Sequence, residues 1–119
     1  MKHIMTGEWK LDNTPDMFID VLQVIPYIQF KQIPSQKIQI ADISHKELDS
    51  IDTDELRYLV ANIKYPVIVV EGMQNPHNKP YRMIDGRHRL LKQLNNKTIN
   101  AYVLTEADIS KFYQEYYGS

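Results

Sequence analysis

The run Pro66-Val67-Ile68-Val69-Val70-Glu71 constrains this chain more than any other segment. Four consecutive β-branched residues without polar alternation suit a strand covered on both faces. Such a strand needs neighbours in a sheet and material above and below it. Tyr81 to Ile84 supplies a second strand, reached through the polar loop Gln74 to Pro80, and Thr98 to Leu104 a third. Lys37 to Ile40 alternates, with Ile38 and Ile40 turned inward, so the stretch up to about Ile43 is a further expected strand.

Helices are expected between these strands. Thr14-Pro15 offers a hydroxyl cap and a proline at the first helical position, and Phe18, Val21, Leu22 and Ile25 follow as one apolar face, ended by Pro26. Ser44-His45-Lys46-Glu47 fits a capping box and predicts a short helix. Asp52 to Glu55 starts another, with Leu56, Leu59, Val60 and Ile63 as its stripe. A helix runs from about Gly86, with Leu90, Leu91 and Leu94 on one face, and stops at Asn95-Asn96. Thr105 to Asp108 caps a last one, striped by Ile109, Phe112, Tyr113 and Tyr116. The expected fold is α+β: a small mixed β-sheet with flanking helices. The 119 residues fit one domain, with no linker or internal repeat. A chain of this length buries roughly two-thirds of the surface its unfolded form exposes.

Composition removes several function classes. With no cysteine there is no disulfide, thiolate metal site or cysteine nucleophile. No apolar run approaches the roughly 20 residues of a membrane span, and Met1 to Met5 lacks the apolar stretch of a secretory signal. No membrane partner is expected, and the cytoplasm is the expected compartment. Net charge is −1, which gives no global pull towards nucleic acid. The charge is unevenly placed, however. Six acids lie between Asp42 and Glu55 against one base, and five bases between Arg82 and Lys97 against one acid. These are either two solvated faces or a local basic site for a small anion.

The segment Ile84-Asp85-Gly86-Arg87-His88-Arg89 is where an anion would bind. A strand enters it and a helix leaves it. The first N–H groups of a helix lack internal partners, and with the dipole each anion contact contributes about 0.3–1 kcal/mol when exposed. Glycine at 86 would let a ligand approach the backbone. Arg87, His88 and Arg89 add donors, arginine's fork matching phosphate oxygens. The plainer reading makes Asp85 a helix N-cap, Gly86 a turn residue and the bases solvated. Three basic residues in a first turn oppose the dipole, and such local violations tend to mark function.

The stretch from about Ile33 to Leu104 resembles the ParB N-terminal and sulfiredoxin-like superfamily. Ile33-Pro34-Ser35-Gln36-Lys37-Ile38, an acidic helix ending at Ile63, Tyr65 to Val70, the Asp85-Gly86-x-His88-Arg89-Leu90 motif and Ile99 to Val103 follow its order. Residues 1–30 lie outside it, as an extension that would pack on the core. The resemblance implies a ParB/sulfiredoxin-like fold and a turn that binds the phosphates of ATP or CTP. Sulfiredoxins carry cysteine where Arg87 stands, so their chemistry is not expected. Partition proteins carry Gly-Glu-Arg-Arg, matched here only by Gly86 and Arg89, and a downstream helix-turn-helix domain for which the residues after Leu104 are too few. Free-serine kinases of the superfamily have an aspartate at the place of Asp85 and a catalytic glutamate, for which Glu47 is the nearest candidate, with Asp42 behind it. Glu47 is equally the reciprocal residue of its capping box.

The expected site therefore has Asp85, His88 and Glu47 as catalytic candidates, and Gly86, Arg87, His88 and Arg89 as phosphate or nucleotide ligands. Asp85 could also hold a Mg²⁺ ion that bridges phosphates, since that ion takes few protein carboxylates. Phosphoryl transfer or nucleotide hydrolysis is the expected reaction class. The alternatives are a DNA-binding or nuclease module, as in ParB-like nucleases, and a non-catalytic phage or mobile-element regulator of the same fold. His3, His45 and His77 are expected at the surface.

Overall fold

The apolar run becomes the middle strand of a five-stranded sheet. The computed structural model describes residues 8–11, 14–46, 48–49, 51 and 56–115. In chain order the elements are β1 (Glu8–Leu11), β2 (Thr14–Asp20), α1 (Val21–Lys31), β3 (Ser35–Gln39), β4 (Ile43–Ser44), α2 (Leu56–Leu59), β5 (Val67–Glu71), β6 (Tyr81–Asp85), α3 (Arg87–Leu91), β7 (Thr98–Thr105), α4 (Glu106–Ser110) and β8 (Tyr113–Glu115). The larger sheet has the order β3-β7-β5-β6-β4. β5 runs parallel to β7 and antiparallel to β6, while β3 is antiparallel to β7 and β4 parallel to β6. A second, antiparallel sheet has the order β1-β2-β8. The α+β class with a small mixed sheet is as the sequence predicts.

β5 is buried on both sides because its side chains alternate between two cores. Val67 and Val69 pack with Ile38, Ile43, Met83, Leu90, Ile99 and Ala101. Ile68 and Val70 pack with Ile19, Val21, Val24, Ile28, Ile84, Leu104 and Ile109. One face is thus covered by α3, the other by β2, α1 and α4. The N-terminal residues do pack on the core, though not with the expected face.

The helix expected from Thr14 is instead strand β2, and helix starts only at Val21. Asp20 caps it, its carboxylate accepting from the Leu22 N–H at 3.1 Å. Pro26, expected as a stop, lies inside. An internal proline costs about 3 kcal/mol. Burial of Val21, Val24 and Ile28, at about 1.5–3 kcal/mol each, outweighs it. Leu22 and Ile25 face outward.

Ser44 does not begin a helix. It is a β4 residue opposite Arg82, and its buried Oγ lies 2.7 Å from His77 Nδ1. Burying Ile43 against the second core keeps the chain extended here, and that overrides the local capping signal. The expected strand up to Ile43 is interrupted by a 3₁₀ turn, Ile40–Asp42. His77 is exposed as expected, yet tied down. Its loop is organised by Asn75, whose Nδ2 donates to the carbonyls of Met73 and Lys79 and whose Oδ1 accepts from the N–H groups of His77 and Lys79. Lys79 Nζ then reaches the Ala41 carbonyl at 2.6 Å.

The stripe Leu56, Leu59, Val60 and Ile63 does not enter the core; all four side chains are at least half exposed. Leu90 and Ile43 already fill that face of the sheet, and α2 lies outside them against α3. The start of that helix at Asp52 to Glu55 lies outside the described residues.

α3 ends at Leu91, short of Asn95, with Leu90 fully buried and Leu94 exposed. The last helix has the expected capping box, Thr105 with Asp108, but stops at Ser110. Tyr113 then pairs with Ile19 as part of β8. Tyr116 lies outside the described residues. Asp108 accepts from the Thr105 N–H at 2.9 Å and from the Tyr27 hydroxyl at 2.6 Å. The Thr105 N–H chiefly, and then Tyr27, hold its carboxyl below the ordinary range. A depressed folded-state pKa contributes stability that is complete above the ordinary aspartate range and lost as pH falls through the folded value. Asp108→Asn should therefore flatten the acid limb of a stability–pH curve recorded by urea unfolding. Asp108→Ala should cost about 1 kcal/mol near neutral pH.

Candidate functional site

The turn after β6 is shaped by its contact with β5. Ile68 faces Asp85 and Val69 faces Met83, so the register shifts and Ile84 is an extra residue. Such a bulge re-aims the residues that follow it. Gly86 comes next, buried, with φ +115°. A Cβ there would lie 2.5 Å from Val67 Cγ1 and 2.8 Å from Val67 Cβ. The glycine was expected to admit a ligand to the backbone; the neighbour it admits in the fold is Val67. Its requirement is conformational and steric.

The residues after Gly86 turn into α3 with Gly86 as N-cap and no side-chain cap. Asp85 is therefore not the N-cap. Its Oδ2 instead receives Arg89 Nη2 at 2.7 Å, one helical turn on, with 31% of the Asp85 side chain and 18% of the Arg89 side chain exposed. This pair offsets part of the charge that the basic first turn would otherwise hold against the dipole. Arg87 and His88 are half-buried beside it. Asp85, Arg87, His88 and Arg89 thus lie together where β6 leaves the sheet and α3 begins.

Lys92 completes the basic stretch in a way the sequence did not show. Its Nζ donates to the carbonyls of Leu59, the last residue of α2, at 3.2 Å and of Ala61, just past it, at 3.0 Å. A lysine against the last carbonyls of a helix is a favourable electrostatic contact.

The acidic partners are not brought to the turn among the described residues. Glu47 lies outside them. Asp42 ends the 3₁₀ turn just before Ile43, which pairs with Tyr81 at the start of β6. Asp85 is at the other end of that strand, about 13 Å away at 3.3 Å per residue. For a metal, Asp85 has one carboxylate, already bonded to Arg89, and no group of three His, Asp or Glu side chains converges among the described residues. The donor set fits only an ion such as Mg²⁺ that arrives with its own phosphate oxygens and waters.

Comparison with protein-family models, curated proteins and solved structures gives no match. Among the described residues no helix is long and apolar enough to cross a membrane.

Proposed function

We propose that the chain binds the phosphates of a nucleotide at the Asp85-Gly86-Arg87-His88-Arg89 turn, as the ParB/sulfiredoxin-like resemblance implies, and performs phosphoryl transfer or nucleotide hydrolysis there. The observation that supports it is the Asp85–Arg89 pair at the end of a sheet strand, with Arg87 and His88 between the two in the first turn of α3. Phosphoryl transfer asks of a protein mainly positioning and charge neutralisation. Arg87 and Arg89 would neutralise equatorial oxygens, and His88 would donate a hydrogen bond to them. Asp85 would orient Arg89. On binding it would share its carboxylate between that arginine and a Mg²⁺ ion carried by the nucleotide. Such an ion would supply charge neutralisation at the phosphates.

Calorimetric titration with ATP, CTP and GTP in the presence of Mg²⁺ tests the reading. Saturable binding of at least one nucleotide at or below millimolar concentration is expected. Absence of binding for all three rejects it. Nicking of supercoiled plasmid, lost in Asp85→Ala, would instead favour the nuclease alternative.

A further inference from the structure

We infer that Tyr65 is the platform on which the heteroaromatic base of that nucleotide stacks, an inference that rests on the phosphate reading of the turn. The segment from Ala61 to Val67 is pinned against α3 at both ends. At one end the Ala61 carbonyl accepts from Lys92 Nζ, and at the other Val67 packs against Gly86. β5 begins at Val67 and its Ile68 pairs with Asp85, so the end of the sheet where β6 gives way to α3 is reached by the residues between the pins. Two large apolar side chains lie between them, and both are out in solvent: Ile63 is 51% exposed and Tyr65 63%. Tyr65 stands two residues from Val67, so its backbone is within about 7 Å of the residue that touches Gly86.

Singly exposed apolar residues are ordinary. Here Ile63 and Tyr65 are exposed two residues apart, just before the strand that pairs with Asp85, and exposed apolar surface at such a place marks a contact surface. Its place at the same end of the sheet as the basic turn selects the occupant. A ligand whose phosphates sit on Arg87 and Arg89 carries the rest of its structure outward, and the surface offered on this side is apolar and aromatic. A base has a π-face that stacks on tyrosine whatever its hydrogen-bonding edge. The turn 62–65 fixes the backbone beneath the ring, with the Tyr65 N–H on the Asn62 carbonyl at 3.1 Å and the Lys64 N–H on Asn62 Oδ1 at 2.9 Å. The ring is thus presented from a held segment, which limits the ordering cost of stacking. Because stacking is tolerant of base identity, Tyr65 would distinguish nucleotides from bare polyphosphates more than one nucleotide from another.

The test compares Mg-ATP with Mg-tripolyphosphate as ligands of the full chain, at one fixed salt concentration, for wild type, Tyr65→Ala and Tyr65→Phe. Wild type is expected to bind ATP roughly tenfold more tightly than tripolyphosphate, the scale of one base–aromatic stack. Tyr65→Ala should lose that preference, Tyr65→Phe should keep it, and tripolyphosphate affinity should be equal in all three. Equal ATP affinity in wild type and Tyr65→Ala overturns the platform while leaving the phosphate reading intact. Loss of tripolyphosphate binding in Tyr65→Ala, with an unchanged circular dichroism spectrum, also overturns it, because the residue would then serve the phosphate end. Failure of wild type to bind either ligand overturns the phosphate reading, and the platform with it.

Discussion

Gly86→Ala is expected to destabilise the fold by about 2–6 kcal/mol. A non-glycine residue held at φ +115° carries about 1–3 kcal/mol of backbone strain. The new methyl would also meet Val67 Cγ1 at 2.5 Å and Val67 Cα at 3.2 Å. Forcing a methyl group into packed surroundings costs about 1–3 kcal/mol more. The Val67 backbone cannot retreat, since it sits in the middle strand between β6 and β7 with its side chain fully buried. A domain of this size has about 5–15 kcal/mol in total, so the variant should lose a large share of its stability and unfold at a much lower urea concentration. Urea unfolding followed by circular dichroism checks this. Val67→Ala in the same background removes the Cγ1 clash but neither the Cβ contact nor the strain, so it should recover only part of the loss. A midpoint equal to wild type in Gly86→Ala would mean that the turn is not packed on β5 as described.

Replacing both arginines of the turn, Arg87→Ala with Arg89→Ala, should do the opposite: little to stability and much to binding. The Asp85–Arg89 pair is an i,i+4 contact with both side chains partly exposed, and such pairs contribute about 0.3–0.5 kcal/mol. A charge-assisted hydrogen bond to phosphate is worth about 1.5–3 kcal/mol, so each arginine accounts for roughly a tenfold to hundredfold change in affinity. The double variant should therefore unfold near the wild-type urea midpoint yet bind Mg-ATP at least a hundredfold more weakly. Wild-type affinity should also fall with added salt more steeply than the variant's, because fewer charges remain to be screened. An unchanged affinity in the variant would place the nucleotide elsewhere.

The parts of the fold that were legible in the sequence are those set by local chemistry. The run Val67 to Val70, the strand Tyr81 to Asp85, the strand from Thr98 and the Thr105–Asp108 capping box all stand where the residues put them. Long-range pairing decided the rest. Thr14 to Asp20 has a helical pattern on its own, yet it forms a strand because β1 on one side and the distant β8 on the other pair with it. Ser44 was a plausible cap until the parallel pairing with β6 was added. The stripe from Leu56 to Ile63 is as amphipathic as a core helix, and nothing local says that α3 and Ile43 take its place on the sheet.

The candidate site divides in the same way. Asp85 to Arg89 are neighbours in sequence, so their clustering needed only a strand followed by a helix. The bonds from Lys92 to Leu59 and Ala61, and with them the placement of Tyr65, join segments about thirty residues apart and have no sequence signature. Gly86 was legible as a constrained position, but its constraint comes from Val67, which only the sheet register reveals.

The central claim is one of place: phosphate binds where β6 gives way to α3. Amide chemical-shift mapping of the ¹⁵N-labelled full chain, titrated with Mg-ATP, tests it most directly. The account predicts saturable shifts concentrated on Asp85 to Lys92 and on Ile63 to Val67, the residues that lead into β5 beside Gly86, with the β1-β2-β8 sheet unaffected. Saturable shifts confined to that smaller sheet or to the His77 loop, with Asp85 to Lys92 unmoved, would contradict it.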